Sequence, residues 1–402
     1  MTESTVTSLR HLLTEDGARI SKTIGYYIAF IALGAAGAAL GPTLPDLAKN
    51  TQTPLSAISF LFTAHALGYL LGSLQSGWSY DRLVGHRVMV TGLVIMAAML
   101  ILVPTISWLW LLAAVWLVLG AAGSTIDVGG NTLLIWVHRD KVGPFMNGLH
   151  FFFGVGAALS PLIIAWVTLL GGGLHQAYWV LALLALPAFA WLLRLPSPAA
   201  QTVSDAAPHK KAGPLLIVLL VLFFFLHVGG ESSFGGWIYT YALALDLSST
   251  TVARYLTSAF WGALTMGRLL SIPLAARVRP STILFGSLLA GVASLSVIVL
   301  WSNSSAAIWV GTLGIGLSIA SLFPSTFSMV ERYVTITGRV SSWFLIGASL
   351  GGMSLPWLIG QLFERLGPRA TMSTILIDFV IATAVFVAIF LQLARRSEAP
   401  SR

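Results

Sequence analysis

Twelve long apolar stretches, separated by short polar ones, set the first limit on this chain. They centre near residues 35, 68, 96, 121, 157, 185, 226, 262, 291, 318, 350 and 382, and a helix needs ~20 apolar residues to cross the hydrocarbon core of a bilayer. Only 9% of the residues are charged, against about 25% in soluble domains, so most of the chain is kept from water. None of the stretches alternates polar and apolar residues as the strands of a membrane barrel do. The expected class is therefore an all-α membrane protein with twelve transmembrane helices. An even number of crossings puts both termini on one side.

Charge selects that side. With both ends inside, the inner segments hold eighteen basic residues, including Arg10, Arg19, Arg82, Arg87, Lys210, Arg268, Arg277, Arg339 and Arg395. The outer segments hold four: Lys49, Arg254, Arg365 and Arg369. This asymmetry is the positive-inside pattern, and it predicts cytoplasmic termini. The formal charge of +8 is then accounted for by topology and anionic lipid, with no nucleic acid partner. The start, "MTESTVTSLRHLLTEDGARISK", lacks the cationic stub and cleavage site of a secretory signal. It reads as a retained cytoplasmic tail.

The polar interval "LRLPSPAAQTVSDAAPHKKAGPL" at 193–215 falls midway and divides the chain into two halves of six helices. The halves align at an offset of about 195, with Gly34 over Gly229, Gly41 over Gly236, Gly72 over Gly267, Arg82 over Arg277 and Pro161 over Pro356. The expected division is a tail over 1–22, one bundle over 23–194, a linker over 195–214, a second bundle over 215–394 and a tail over 395–402. Two parallel repeats related by an axis along the membrane normal are a transporter design, with the site between the halves at mid-membrane.

Ionisable side chains inside such helices are costly, ~2.5–3.5 kcal/mol each on insertion scales, and usually face a cavity. Asp127 and Glu231 sit well within their stretches, Asp46 closes the first, and Asp378 lies about two turns into the last. Asp127 and Asn131 are four apart and share a face with the small residues Gly120, Gly123 and Ser124. His227 and Glu231 are also four apart and able to pair, while Asn147, His150, Gly154 and Pro161 line one face of the fifth helix. Trp237 reads equally as an interface anchor or a sugar-stacking platform. His65 and Asp378 stay open between structural and functional roles. Ser318, Ser321 and Ser325 form a stripe suited to close helix packing.

Other chemistries lack their residues. There is no cysteine, no pair of histidines at metal spacing within one helix, no P-loop lysine after a glycine-rich turn, and no serine-histidine-acid relay. No enzyme activity, metal site or organic cofactor is expected.

Gly77, Asp81, Arg82, Gly85 and Arg87 resemble the signature between the second and third helices of the major facilitator superfamily, with one extra residue between Arg82 and Gly85. The resemblance implies that Gly77, Asp81 and Arg82 act in gating, Asp81 by contacting the N-terminus of the eleventh helix, where a carboxylate suits the helix dipole. More narrowly, "LGPTLPDLAKN", "DVGGN", "MNGLHFFFGVGA" and "HVGGESSFGGWIYTYA" are similar to the fucose–proton symporter family and its sodium-dependent glucose transporter branch. That family often has an acid or amide four residues before the asparagine of the fourth helix and Gly-x-Glu on the seventh. Thr132 replaces the family's usual proline.

The resulting expectation is cation-coupled symport of a neutral monosaccharide such as glucose, by a monomer in a bacterial cytoplasmic membrane. Asp127, Glu231 and Asp46 would serve the coupling proton or sodium ion, with Asp127 the candidate sodium ligand. Asn131, His150, Asn147, Glu231, His227, Trp237 and His65 would serve the sugar. The alternative is a proton-coupled efflux antiporter, disfavoured because "GVGAALSPLI" lacks the Gly-Pro pair common in the fifth helix of antiporters.

Overall fold

The computed structural model describes residues 3–199, 213–331 and 338–398. The basic residues Lys210 and Lys211, Arg332 and Arg402, and most of the expected linker, lie outside the described residues. Those described form helices and connecting turns without a strand.

The spanning helices, in chain order, are α1 (Glu3–Gly37), α2 (Phe60–Arg82), α3 (Gly85–Leu102), α4 (Leu109–His138), α5 (Val142–Leu169), α6 (Leu174–Leu183 with Ala185–Leu193), α7 (Pro214–Ala244), α8 (Thr250–Ala275), α9 (Pro280–Leu300), α10 (Ser305–Ile319 with Leu322–Glu331), α11 (Gly338–Leu366) and α12 (Arg369–Glu398). In hydrocarbon the backbone must satisfy its own polar groups, so each apolar stretch closes its hydrogen bonds within one helix. The helix starts are where polar chemistry returns. Pro214 and Pro280 occupy first-turn positions where a missing N–H is harmless. Ser249 and Ser304 cap α8 and α10 by accepting from Val252 N and Ala307 N. α1 runs unbroken from Glu3, so the expected tail continues into the first span. Despite Thr132, α4 is also a single helix.

Eleven of these segments are long and apolar enough to cross a membrane. α8 is long enough at 26 residues but is too polar to join them, because Arg254, Arg268 and several hydroxyl residues interrupt it. Arg268, counted above as an inner-loop cation, lies within α8. Without it the inner segments hold seventeen basic residues, and the asymmetry stands.

The repeat has a packing basis. A side chain at Gly34 or Gly156 would collide with the backbone of α5 or α1, and one at Gly120 would collide with the His65 carbonyl of α2. In the second half, Gly351 meets the Phe225 carbonyl of α7 and Gly316 the Phe260 carbonyl of α8. His65 and Phe260 are 195 apart. The same helix pairs therefore make the same close crossings in both bundles, as small residues permit in a solvent that gives helices no hydrophobic reason to associate. These crossings hold α1, α2, α4, α7, α8 and α11 around the space between the bundles.

Candidate functional site: the cavity between the bundles

A cavity of about 360 Å³ lies between the two halves, lined from α1, α2, α4, α5, α7, α8 and α11. That volume is near the lower end of small-molecule sites, ~300–1,000 Å³. Phe62, Tyr69, Trp116, Phe153 and Trp261 make its walls aromatic, and His65 and Glu231 bring polar groups. The indole N–H groups of Trp116 and Trp261 are buried with no hydrogen-bond partner among the described residues. Both nitrogens belong to residues of the cavity wall and are themselves covered in this conformation.

Asp127 stands one turn beyond the cavity-lining Gly123, on the face predicted from spacing. The hydroxyl of Tyr69 donates to its Oδ2 at 2.5 Å, and the Asn131 amide donates to its Oδ1 at 3.0 Å and to its backbone carbonyl at 2.8 Å. Both side-chain partners are neutral. A carboxylate has about four lone-pair sites, so this one retains acceptor capacity after two hydrogen bonds. Tyr69 joins it to the cavity, since that residue is also part of the wall.

Glu231 is placed differently. His227 Nε2 lies 3.9 Å from its Oε2, and Arg268 of α8 acts on both residues electrostatically. Trp261, Thr265 and Arg268 share one face of α8. The C-terminal bundle therefore supplies a cation to its acid, whereas the N-terminal bundle holds Asp127 with neutral donors. His150, exposed and edge-on to Phe30 at 6.1 Å, lies within electrostatic reach of both Asp127 and Arg268. Asn147 is exposed one turn earlier, while Gly154 abuts Thr265 of α8. The α5 face thus opens at one end and closes at the other. His65 packs edge-on against Trp116 at 5.7 Å and borders Tyr69.

Three of the expected groups of residues sit outside the cavity wall. Trp237 is fully buried, donates to the Pro356 carbonyl at 3.0 Å, and packs between Phe62 and Phe363. It joins α7 to α11 and is not part of the cavity wall. Asp46 lies apart from Asp127, in the short helix Leu44–Thr51, where its Oδ2 is 3.4 Å from Arg254 Nη2. Its setting is a contact between the bundles. Asp81 and Arg82 are exposed at the end of α2, and Arg82 lies 4.8 Å over the Trp78 ring. No contact joins Asp81 to α11 among the described residues.

The opposite side is shut. Arg254 donates to Thr168 at 2.8 Å, Leu55 N to Glu364 at 2.8 Å, Gln361 to the Ser56 carbonyl at 2.8 Å, Thr63 to the Met353 carbonyl at 2.8 Å and Ser258 to the Ala158 carbonyl at 2.6 Å. These five cross-bundle hydrogen bonds all lie on this side. Burial raises the Asp46 carboxyl above its ordinary value, with Arg254 and Lys49 pulling it down less strongly. Its ionised form is therefore lost earlier on acidification than that of a free carboxylate. Arg254→Ala should open this side, and acid should do so in the unmodified protein. The chain has no cysteine, so Ala38→Cys in the cavity wall gives a clean accessibility probe. Faster labelling after either change is expected; unchanged labelling would remove Asp46–Arg254 from the closure.

The profile of the Major Facilitator Superfamily matches residues 26–356. The chain belongs to this superfamily. Its fold matches that of the nucleoside transporter NupG, with a TM-score of 0.76 at 13% identity over 93% of this chain and all of the other. Among curated superfamily members it is similar to "Sodium-dependent glucose transporter 1" of Xenopus laevis, 33% identical over 81% of this chain and 72% of the relative. It is 30% identical to "Sodium-dependent glucose transporter 1A" of Mus musculus over 92% of this chain and 96% of the relative. "Major facilitator superfamily domain-containing protein 4A" of Homo sapiens is 26% identical over 87% of each. These relatives bear out the resemblance drawn from the helix-4 and helix-7 motifs. The protein is a multi-pass integral membrane transporter, not an enzyme.

The cavity wall and the charged groups behind it include residues that spacing did not single out. Tyr69, Trp116 and Trp261 were indistinguishable from the many aromatics of apolar helices. The signal that could have found Arg268 was its place seven residues after Trp261, still inside a span-length helix.

Proposed function

We propose that this protein is a cation-coupled symporter of a neutral monosaccharide, glucose or a related hexose, working by alternating access. The single observation carrying this reading is Asp127, an acid near the cavity held only by neutral donors and linked to the wall through Tyr69. Such a group can take a proton or a sodium ion without displacing a resident cation. The unpartnered indole donors of Trp116 and Trp261 suit sugar hydroxyls, and the aromatic walls suit the apolar faces of a pyranose. Asn131 holds Asp127 in place, and Glu231 with Arg268 forms a charge-compensated partner surface. His150 and Asn147 lie on the open route to the site. The glucose-transporter names of the relatives favour a sugar and sodium.

The positive-inside pattern supports cytoplasmic termini, which makes the shut side the outer one and this conformation inward-facing. Asp81 and Arg82 are then inner-gate residues in their released state, and Asp46 with Arg254 belongs to the outer gate.

Thermal unfolding of the purified transporter tests the substrate class. Hexoses should raise the melting temperature, by mass action on the folded state, and more so with the coupling cation present. Trp261→Phe, which keeps the ring but removes the donor, should weaken this effect about 2- to 10-fold in apparent affinity, the worth of one hydrogen bond. Stabilisation by lipophilic cations and not by any hexose would favour export.

A further inference from the structure

A second buried acid lies on another face of α7. Asp378 of α12 is 5% exposed, and neither carboxyl oxygen has a hydrogen-bond partner. It rests directly on Gly230, where an added Cβ would stand 2.7 Å from its Oδ2; the glycine makes the room. His227, one turn earlier on α7, is 2% exposed, and neither ring nitrogen has a hydrogen-bond partner. Phe223 stacks near His227 at 6.4 Å between ring centres and meets Phe386 of α12 at 6.3 Å. The contacts 223 with 386 and 230 with 378 define one antiparallel seam, and His227 falls between them. At its other edge His227 Nε2 is 3.9 Å from Glu231 Oε2, and Glu231 lines the cavity.

An ionised carboxylate without partners in this setting bears its desolvation uncompensated, while the neutral acid forgoes only its hydrogen bonds. Of the other helices packed against α12, Pro280–Leu300 of α9 and residues 342–363 of α11 contain no titratable residue, and Glu364 and Arg365 stand in the last turn of α11. On α7 the titratable residues on either side of Gly230 are His227 and Glu231, and Arg268 of α8 acts on both electrostatically.

We propose that Asp378 is a second proton-binding site, neutral in this conformation and served from the cavity through Glu231 and His227. A proton leaving the Glu231 carboxyl adds to His227 Nε2, and the imidazole releases its Nδ1 proton toward an Asp378 oxygen. The ring ends as its other tautomer with no net charge, and the reverse sequence unloads the site. This proposal does not depend on which sugar or which coupling ion the cavity takes.

Infrared spectroscopy of the full-length protein in lipid bilayers tests it without a transport assay. At neutral pH the unmodified protein should show the C=O band of a protonated carboxyl that disappears in Asp378→Asn and survives in Glu231→Gln. In heavy water the band should shift as the proton exchanges, and His227→Phe should slow that exchange. Should Asp378→Asn fail to fold, Asp378→Glu keeps the acid and assigns the band by moving it. Absence of the band in the unmodified protein, or its persistence in Asp378→Asn, would overturn the site. Unslowed exchange in His227→Phe would overturn the relay.

Discussion

Asp127→Asn is expected to abolish accumulation of sugar in sealed vesicles while sparing exchange across them. The amide keeps the shape and still accepts from Tyr69, so the neighbouring fold is preserved, but it can neither bind a proton nor hold a sodium ion by charge. One charge crossing with each sugar through 100 mV supplies ~2.3 kcal/mol, enough for roughly 50-fold accumulation. The variant should fall to equal concentrations on the two sides. Coupling is reciprocal in binding, so sugar affinity in Asp127→Asn should also cease to depend on the cation. Normal accumulation by this variant would assign the coupling ion elsewhere.

Arg268→Gln should be nearly as damaging, for a different reason. Arg268 is the cation that α8 presents to Glu231 and His227, and removing it leaves Glu231 in a cavity wall without compensation. Residues sharing one charged network couple by ~0.5–3 kcal/mol, so uptake should drop about 2- to 150-fold, at ~1.4 kcal/mol per factor of ten. Glu231→Gln alone should weaken both sugar and cation dependence. Combining the two substitutions should recover part of the loss in stability, since the double variant buries no net charge. Strict additivity in a double-mutant cycle would show that the two groups act independently.

The sequence and the structure part company at identifiable places. The apolar stretches, the offset of 195 and the glycine correspondences were legible because hydrocarbon imposes span length and close crossings on any chain. Asp127 with Asn131, and His227 with Glu231, were legible because a spacing of four fixes a common helical face. Arg268 was not, since a cation near the end of a stretch reads as loop until the helix boundary is seen at Ala275. Trp237 was ambiguous because depth along a helix does not specify which neighbour a side chain meets; α11 takes it through the Pro356 carbonyl. Asp46 was grouped with the coupling acids on its type alone, yet the chain turns through Gly41–Thr43 before reaching it, which carries it to the shut side of the bundles.

The coupling claim is tested most directly by uptake of labelled hexose into proteoliposomes with a sodium gradient and a proton gradient imposed separately. The account predicts accumulation above the outside concentration under one of the two gradients, eliminated by collapsing that gradient and absent from Asp127→Asn. Uptake that merely equilibrates under both gradients in the unmodified protein would contradict it.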